Sequence, residues 1–179
     1  ETNGINQLLA STLPKGTITR DSEEIARTLE SIGASIGASV GNNALLIAAS
    51  GLAPDFATIS DVFAEVICSP SLPDDSVARE KASQLAALEE ALQDPLHSGF
   101  ATLRDLAFNG CGYGLDPLGS LASLPGLDRE KLVAHHTRHF TAANLTISIA
   151  GDFDPAEAKS NLTAAFANLP AGSAWNPPA

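Results

Sequence analysis

Helical rhythm runs through nearly the whole chain, and strand patterning interrupts it in only two regions. In the first, residues 35–40 alternate small or apolar side chains with polar ones. Residues 44–49 are then continuously apolar, and Gly41-Asn42-Asn43 lies between the two runs. This pattern predicts an antiparallel hairpin whose second strand is buried. In the second region, residues 144–150 set Leu145, Ile147 and Ile149 on one side of an extended segment, which predicts a third strand. Strands and helices are segregated rather than strictly alternating. The expectation is α+β: helices packed on one face of a mainly antiparallel sheet.

The helices carry their own punctuation. Asp21-Ser22-Glu23-Glu24 puts acids at a helix start, Ile25, Leu29 and Ile32 follow at helical spacing, and Gly33 ends the run. Residues 54–68 carry Phe56, Ile59, Phe63 and Val66 on one face, with Pro54 in the first turn. A Pro-rich break precedes a long helix over 75–93, which Asp94-Pro95 ends or bends. The next helix holds Phe100, Leu103, Leu106 and Phe108. Asp128 caps a helix over 129–139, and the last runs from Pro155 to about Asn168. Residues 1–169 are expected to form one domain. The tail at 170–179, with Trp175, Pro177 and Pro178, reads as a linker or the start of a next domain.

Composition closes several routes. A chain of 179 residues buries roughly 70% of its unfolded surface. With 44% hydrophobic and 17% charged residues, wholesale disorder is excluded. Ten bases against 21 acids, a net charge of −11, argue against nucleic acid or an anionic membrane as partner, since both need clustered Lys and Arg. No apolar run reaches the roughly 20 residues that span a bilayer. Neither the positive n-region nor the apolar h-region of a signal peptide is visible. The lack of methionine predicts a processed product or an excised piece of something longer. Cys68 and Cys111 stand far apart in sequence and outside any C-x-x-C pair. Cys68 reads as a buried small hydrophobe; a disulfide between the two stays open, as does a periplasmic or cytoplasmic address in a bacterium.

Three constellations tempt and fail. His135 and His139 are one helical turn apart, which is ligand spacing, but His136 stands where a zincin needs Glu; capping of a negative helix end by His and Arg is the plainer reading. There is no G-x-S-x-G elbow, and no Lys-Ser/Thr follows Gly112, Gly114 and Gly119. Glu89, Glu90 and Asp94 read as solvated helix-end acids.

The opening segment is more specific. Gly4, Leu9, Leu13, Lys15, Gly16 and Thr17 keep the frame G-[LI]-x-H-x-L-E-H-x-L-x-K-G-T. With Thr19 to Ala26, Ser31 to Ser35, Gly41 to Asn43, Val77 to Lys81, Asp94-Pro95, Gly112 to Ser120 and Asn144 to Asp152, in that order, the chain resembles the pitrilysin/insulinase family of zinc metallopeptidases. That family includes the mitochondrial processing peptidases, and the likeness covers nearly the whole chain. In the family the frame carries the inverted motif H-x-x-E-H, two zinc-ligating histidines and a glutamate that activates water. Here those positions read Gln7, Ala10 and Ser11: an amide, a methyl and a hydroxyl. The family's further ligand, a glutamate on a later helix, falls by spacing on Ala87, with Glu89 and Glu90 out of register by roughly 200° or more. Nothing matches the family's R-E-K-x-G-x-x-Y segment. In Gly112-Tyr113-Gly114, which resembles the family's H-P-Y-G loop, a tyrosine packed against the following helix is expected.

The resemblance implies a non-catalytic domain of a zinc peptidase that helps form the peptide chamber and binds no metal itself. No catalytic, cofactor-binding or metal-binding residue is expected in it. Zinc is expected in the catalytic half of the parent or partner. That half, or a homologous subunit, is the implied partner, with peptide as a further ligand. The rival reading is a scaffold or assembly subunit related to processing-peptidase core proteins, with no proteolytic role.

Overall fold

The computed structural model describes residues 2–41 and 43–175. In chain order the elements are α1 (Ile5–Thr12), α2 (Ser22–Ser31), β1 (Ser35–Val40), β2 (Leu45–Ser50), α3 (Phe56–Cys68), α4 (Asp74–Gln93), α5 (Pro95–Phe108), α6 (Arg129–His139) and α7 (Pro155–Ala165), joined by short 3₁₀ turns. The sheet is the antiparallel β1–β2 hairpin, so the class is α+β with helices predominating. Two compact units share the chain. The first comprises Glu1–Thr12, Ala38–Ile47 and Leu72–Leu132; the second comprises Leu13–Gly37, Ala48–Ser71 and Val133–Ala179.

In the first unit α1 packs on α4, and α4 on α5. Its buried residues include Ile5, Leu8 and Leu9 of α1, Val77 and Leu88 of α4, and Leu72, Leu124, Leu127 and Leu132. The Asp94-Pro95 step does two jobs. It stops α4, and the Asp94 carboxylate then accepts from Leu96 N at 3.0 Å to start α5 with proline in its first turn.

In the second unit α3 packs on α7, and the Phe63 and Phe166 rings meet edge to face at 6.2 Å. Ile59, Val62, Ala64, Val66 and Ile67 of α3 are buried, with Ile25 and Leu29 of α2. α2 opens on a capping box: Asp21 accepts from Glu24 N, and the Glu24 carboxylate accepts from Asp21 N. Glu65 draws in the preceding loop, pairing with Arg20 at 2.7 Å and accepting from the Thr17 and Thr19 hydroxyls.

The structure departs from expectation in three places. Residues 145–150 lie in no ladder; alternation marks a strand-competent segment, and a strand also needs a hydrogen-bonded neighbour. β2 alternates half-buried with exposed residues instead of being buried throughout, and Leu46 is 61% exposed. The third departure is α5, which buries none of its side chains: Leu96, Phe100, Leu103, Leu106 and Phe108 all face solvent. Helical periodicity specifies an apolar face, not what covers it. At the tail, Pro170 O and Ala171 O accept from Ala142 N and Ala143 N, and Trp175 N donates to Asn144 Oδ1. Pro177 and Pro178 lie outside the described residues.

Candidate functional site

On α1, Gln7 and Ser11 are separated by four residues and so share a face, as two chelating side chains would. Both are half-buried. Ser11 Oγ donates back to Leu8 O at 3.0 Å, so the hydroxyl is committed to its own helix. Ala10 is 3% exposed and brings no donor atom. On the neighbouring helix, the position that spacing assigns to the family's glutamate holds no carboxylate. On α4 the buried stripe runs through Val77, Gln84 and Leu88. Ala87 is exposed, and so are Glu89 and Glu90, which sit about 100° and 200° around the helix from Leu88. The donor set does not fit zinc: one amide, one occupied hydroxyl and a methyl. Among the described residues no three His, Cys, Asp or Glu side chains gather as a metal site.

A glutamine takes up the space beside α1. Buried Gln84 donates from Nε2 to Gly4 O at 3.0 Å and to Leu118 O at 2.8 Å, tying the start of α1 to α4 and to the loop after α5. Its Oε1 is buried without a hydrogen-bond partner. The backbones approach closely at this junction. A Cβ on Gly4, whose φ is +88°, would lie 2.9 Å from Gly119 Cα, Leu118 O and Leu124 Cδ2. Sequence spacing drew attention to Gln7 and Ser11 but gave no sign of Gln84, because nothing local distinguishes it from the solvated glutamines of a long helix.

The Gly112–Gly114 turn is held by the preceding helix, not the following one. Tyr113 packs on Phe108 with ring centroids 5.6 Å apart and donates to Asn43 Oδ1 at 2.8 Å. Asp116 anchors the loop. Its carboxylate accepts from Leu118 N, pairs with Arg104 at 3.3 Å, and lies 2.9 Å from His97 Nε2. His97 and Arg104, two turns apart on α5, were not evident as partners of Asp116 in the sequence.

The histidines of α6 divide into two roles. His136 is half-buried: its Nε2 lies 2.8 Å from Ile67 O, and its ring stacks on Phe140 at 4.4 Å. Burial lowers its pKa, partly offset by that carbonyl. His135 and His139 face each other, centroids 4.5 Å apart. Burial, then the charges of His139, Arg138 and His136, push His135 down to about 4; burial and Arg138 lower His139. Cys68 and Cys111 are free thiols, and burial raises the pKa of Cys68. Among the described residues no helix is long and apolar enough to cross a membrane.

Compared with known proteins, residues 1–114 match the insulinase family, peptidase family M16, and residues 126–179 match the peptidase M16 inactive domain. An uncharacterized zinc protease of Rickettsia felis is 23% identical over 176 residues, covering 98% of this chain and 43% of that protein. Cytochrome b-c1 complex subunit 1 of Caenorhabditis elegans is 24% identical over 151 residues, covering 83% of this chain and 32% of that protein. The crystal structure of a peptidase M16 inactive domain from Pseudomonas fluorescens superposes with a TM-score of 0.92 at 26% identity, over 99% of this chain and 43% of that one. The chain thus spans less than half the length of these relatives.

Proposed function

This chain belongs to the insulinase family of peptidases, family M16, and from that premise we propose that it is an inactive-type domain serving a zinc peptidase without performing the chemistry. One observation carries the reading: α1 keeps the catalytic frame while Gln7, Ala10 and Ser11 offer no zinc ligand set and no base. An amide oxygen is a poor zinc ligand beside imidazole or thiolate, and a methyl cannot take a proton from water. What α1 retains is mechanical. Leu8 and Leu9 are fully buried and Gln84 fixes its first turn, so the helix is a rigid wall.

The domain, residues 1–169 with the tail leading onward, pairs with a zinc-bearing half or homologous subunit and forms part of the surface that encloses peptide. The likeness to the family's zinc protease relatives supports zinc in that other half. The test is hydrolysis of unfolded peptides by the purified chain, alone and with a zinc-bearing half, before and after chelation. Alone it will be inert, and the pair will be active and chelator-sensitive. Chelator-sensitive cleavage by the chain alone, abolished by Gln7→Ala, would overturn the assignment.

A second reading is favoured by the likeness to a cytochrome b-c1 complex subunit: a scaffold whose parent has no proteolytic partner. Restoration of peptidase activity by a zinc-bearing half separates the two, since a pure scaffold would restore none.

A further inference from the structure

Helix α5 is folded inside out. It packs on α4 and on the Gly112–Gly114 turn, yet the side it gives them is largely polar. His97 and Arg104, two turns apart and half-buried, reach Asp116 at 2.9 and 3.3 Å, with half-buried Ser98 and Ala101 between them. Leu96, Phe100, Leu103 and Leu106 follow at spacings of four, three and three residues, which sets them within about 120° of one another on the other side. All four are exposed, Leu96 by 72% and Leu106 by 76%. A helix that only had apolar surface to hide would turn this stripe inward. The Asp116 carboxylate holds it outward instead.

Around the stripe the α4–α5 surface is acidic. From Ser83 to Phe108 the Asp, Glu, Lys and Arg side chains are Glu89, Glu90, Asp94, Asp105 and Arg104. The four acids are exposed, and Arg104 is engaged by Asp116. We propose that this face docks an amphipathic helix whose apolar stripe is flanked by Lys and Arg, carried by the zinc-bearing half; the inference rests on the pairing proposed above. Large apolar side chains three and four residues apart seat the ridge of a second helix, and basic flanks complement the carboxylates. Relatives that match nearly the whole of this chain carry more than its length again, which supports a covering half. A second copy of the chain suits the face poorly, because two such surfaces would set carboxylate against carboxylate, each on a chain of charge −11.

The test titrates the full chain with a synthetic helical peptide of about three heptads, Leu at its a and d positions, made once with Lys flanks and once with Glu flanks. By fluorescence anisotropy the Lys-flanked peptide should bind at least about tenfold tighter. Leu103→Ser/Leu106→Ser should weaken that binding about tenfold or more, and Glu89→Lys/Glu90→Lys should reduce or reverse the preference for Lys flanks. Should a variant fail to fold, amide NMR of the unaltered protein decides: the Lys-flanked peptide should move signals of residues 96–108. Equal affinity for the two peptides, binding untouched by the double serine variant, or shifts confined to other elements would sink the proposal. So would a dimer of the chain that dissociates in the double serine variant, since the occupant would then be a second copy. With the zinc-bearing half, the double serine variant should pair about tenfold or more weaker than the native chain. Undiminished pairing and activity in that variant would refute the docking face and leave the proposed function standing. No activity from any pair, with the peptide still bound at α5, would refute the proposed function instead.

Discussion

Replacing Gln84 with glutamate exchanges one nitrogen for oxygen and reverses the hydrogen bonding at the α1–α4 junction. In the native protein Nε2 donates to Gly4 O and Leu118 O. In Gln84→Glu an ionised carboxylate would face two carbonyl oxygens in a setting where the side chain is 6% exposed. The folded protein answers by holding the carboxyl protonated, so that one O–H still donates. Keeping a carboxyl of ordinary pKa about 4.3 protonated at pH 7 costs about 3.7 kcal/mol. The second bond, now missing, adds about 1 kcal/mol.

The sign follows from the raised folded-state pKa. Between the unfolded value and the folded one the native state holds the extra proton, so stability falls as pH rises. Urea unfolding of the native and Gln84→Glu proteins at pH 7 and pH 4 checks this. A difference of about 4–5 kcal/mol at pH 7 should shrink to about 1–2 kcal/mol at pH 4. Gln84→Met, which cannot ionise, should show a smaller loss of about 1–3 kcal/mol that is the same at both pH values. If the glutamate variant is equally stable at both, the two carbonyl bonds are not what Gln84 contributes.

Leu8→Ala removes a fully buried side chain and should cost about 2–5 kcal/mol, whereas Leu103→Glu, at a position 61% exposed, should change stability by less than about 0.5 kcal/mol; thermal melts of both test the core boundary. Gly172→Ala would set a Cβ 2.3 Å from Thr141 Cβ and Oγ1 at φ +64°, and a loss of about 1–3 kcal/mol is expected by urea titration; Thr141→Ala should not restore it, because its own Cβ stays in the way. Acid should weaken the fold through α6. His135 and His136 have folded pKa values below the unfolded value near 6.5, so the stability they confer as neutral rings is present above that pH and drains away as pH falls toward about 4. His135→Gln should flatten this limb of a pH–stability profile.

Local chemistry made much of the fold legible. Asp21 with Glu24, Asp94-Pro95, Asp128 and Asp154-Pro155 each mark a helix start where the side chain caps the backbone, and no distant residue is needed to read them. The hairpin was equally local. The degenerate frame on α1 was readable because Gln7 and Ser11 keep a spacing that has meaning only if their types are known. Hidden were the decisions made by distant groups: whether residues 145–150 find a strand beside them, whether α5 is covered, and which glutamine of α4 turns inward. Tyr113 illustrates the limit, since it packs on Phe108 where a contact on the other side was expected.

The bare face of α5 has a consequence for handling the protein. Five large greasy side chains are exposed along one helix, and mutual repulsion at a charge of −11 opposes their association. Salt shortens the reach of that repulsion to about 3 Å at 1 M, and sulfate strengthens apolar attraction at the same time. Preparations should therefore stay clear in dilute buffer, bind strongly to a phenyl resin, and cloud in ammonium sulfate well before the fold itself gives way.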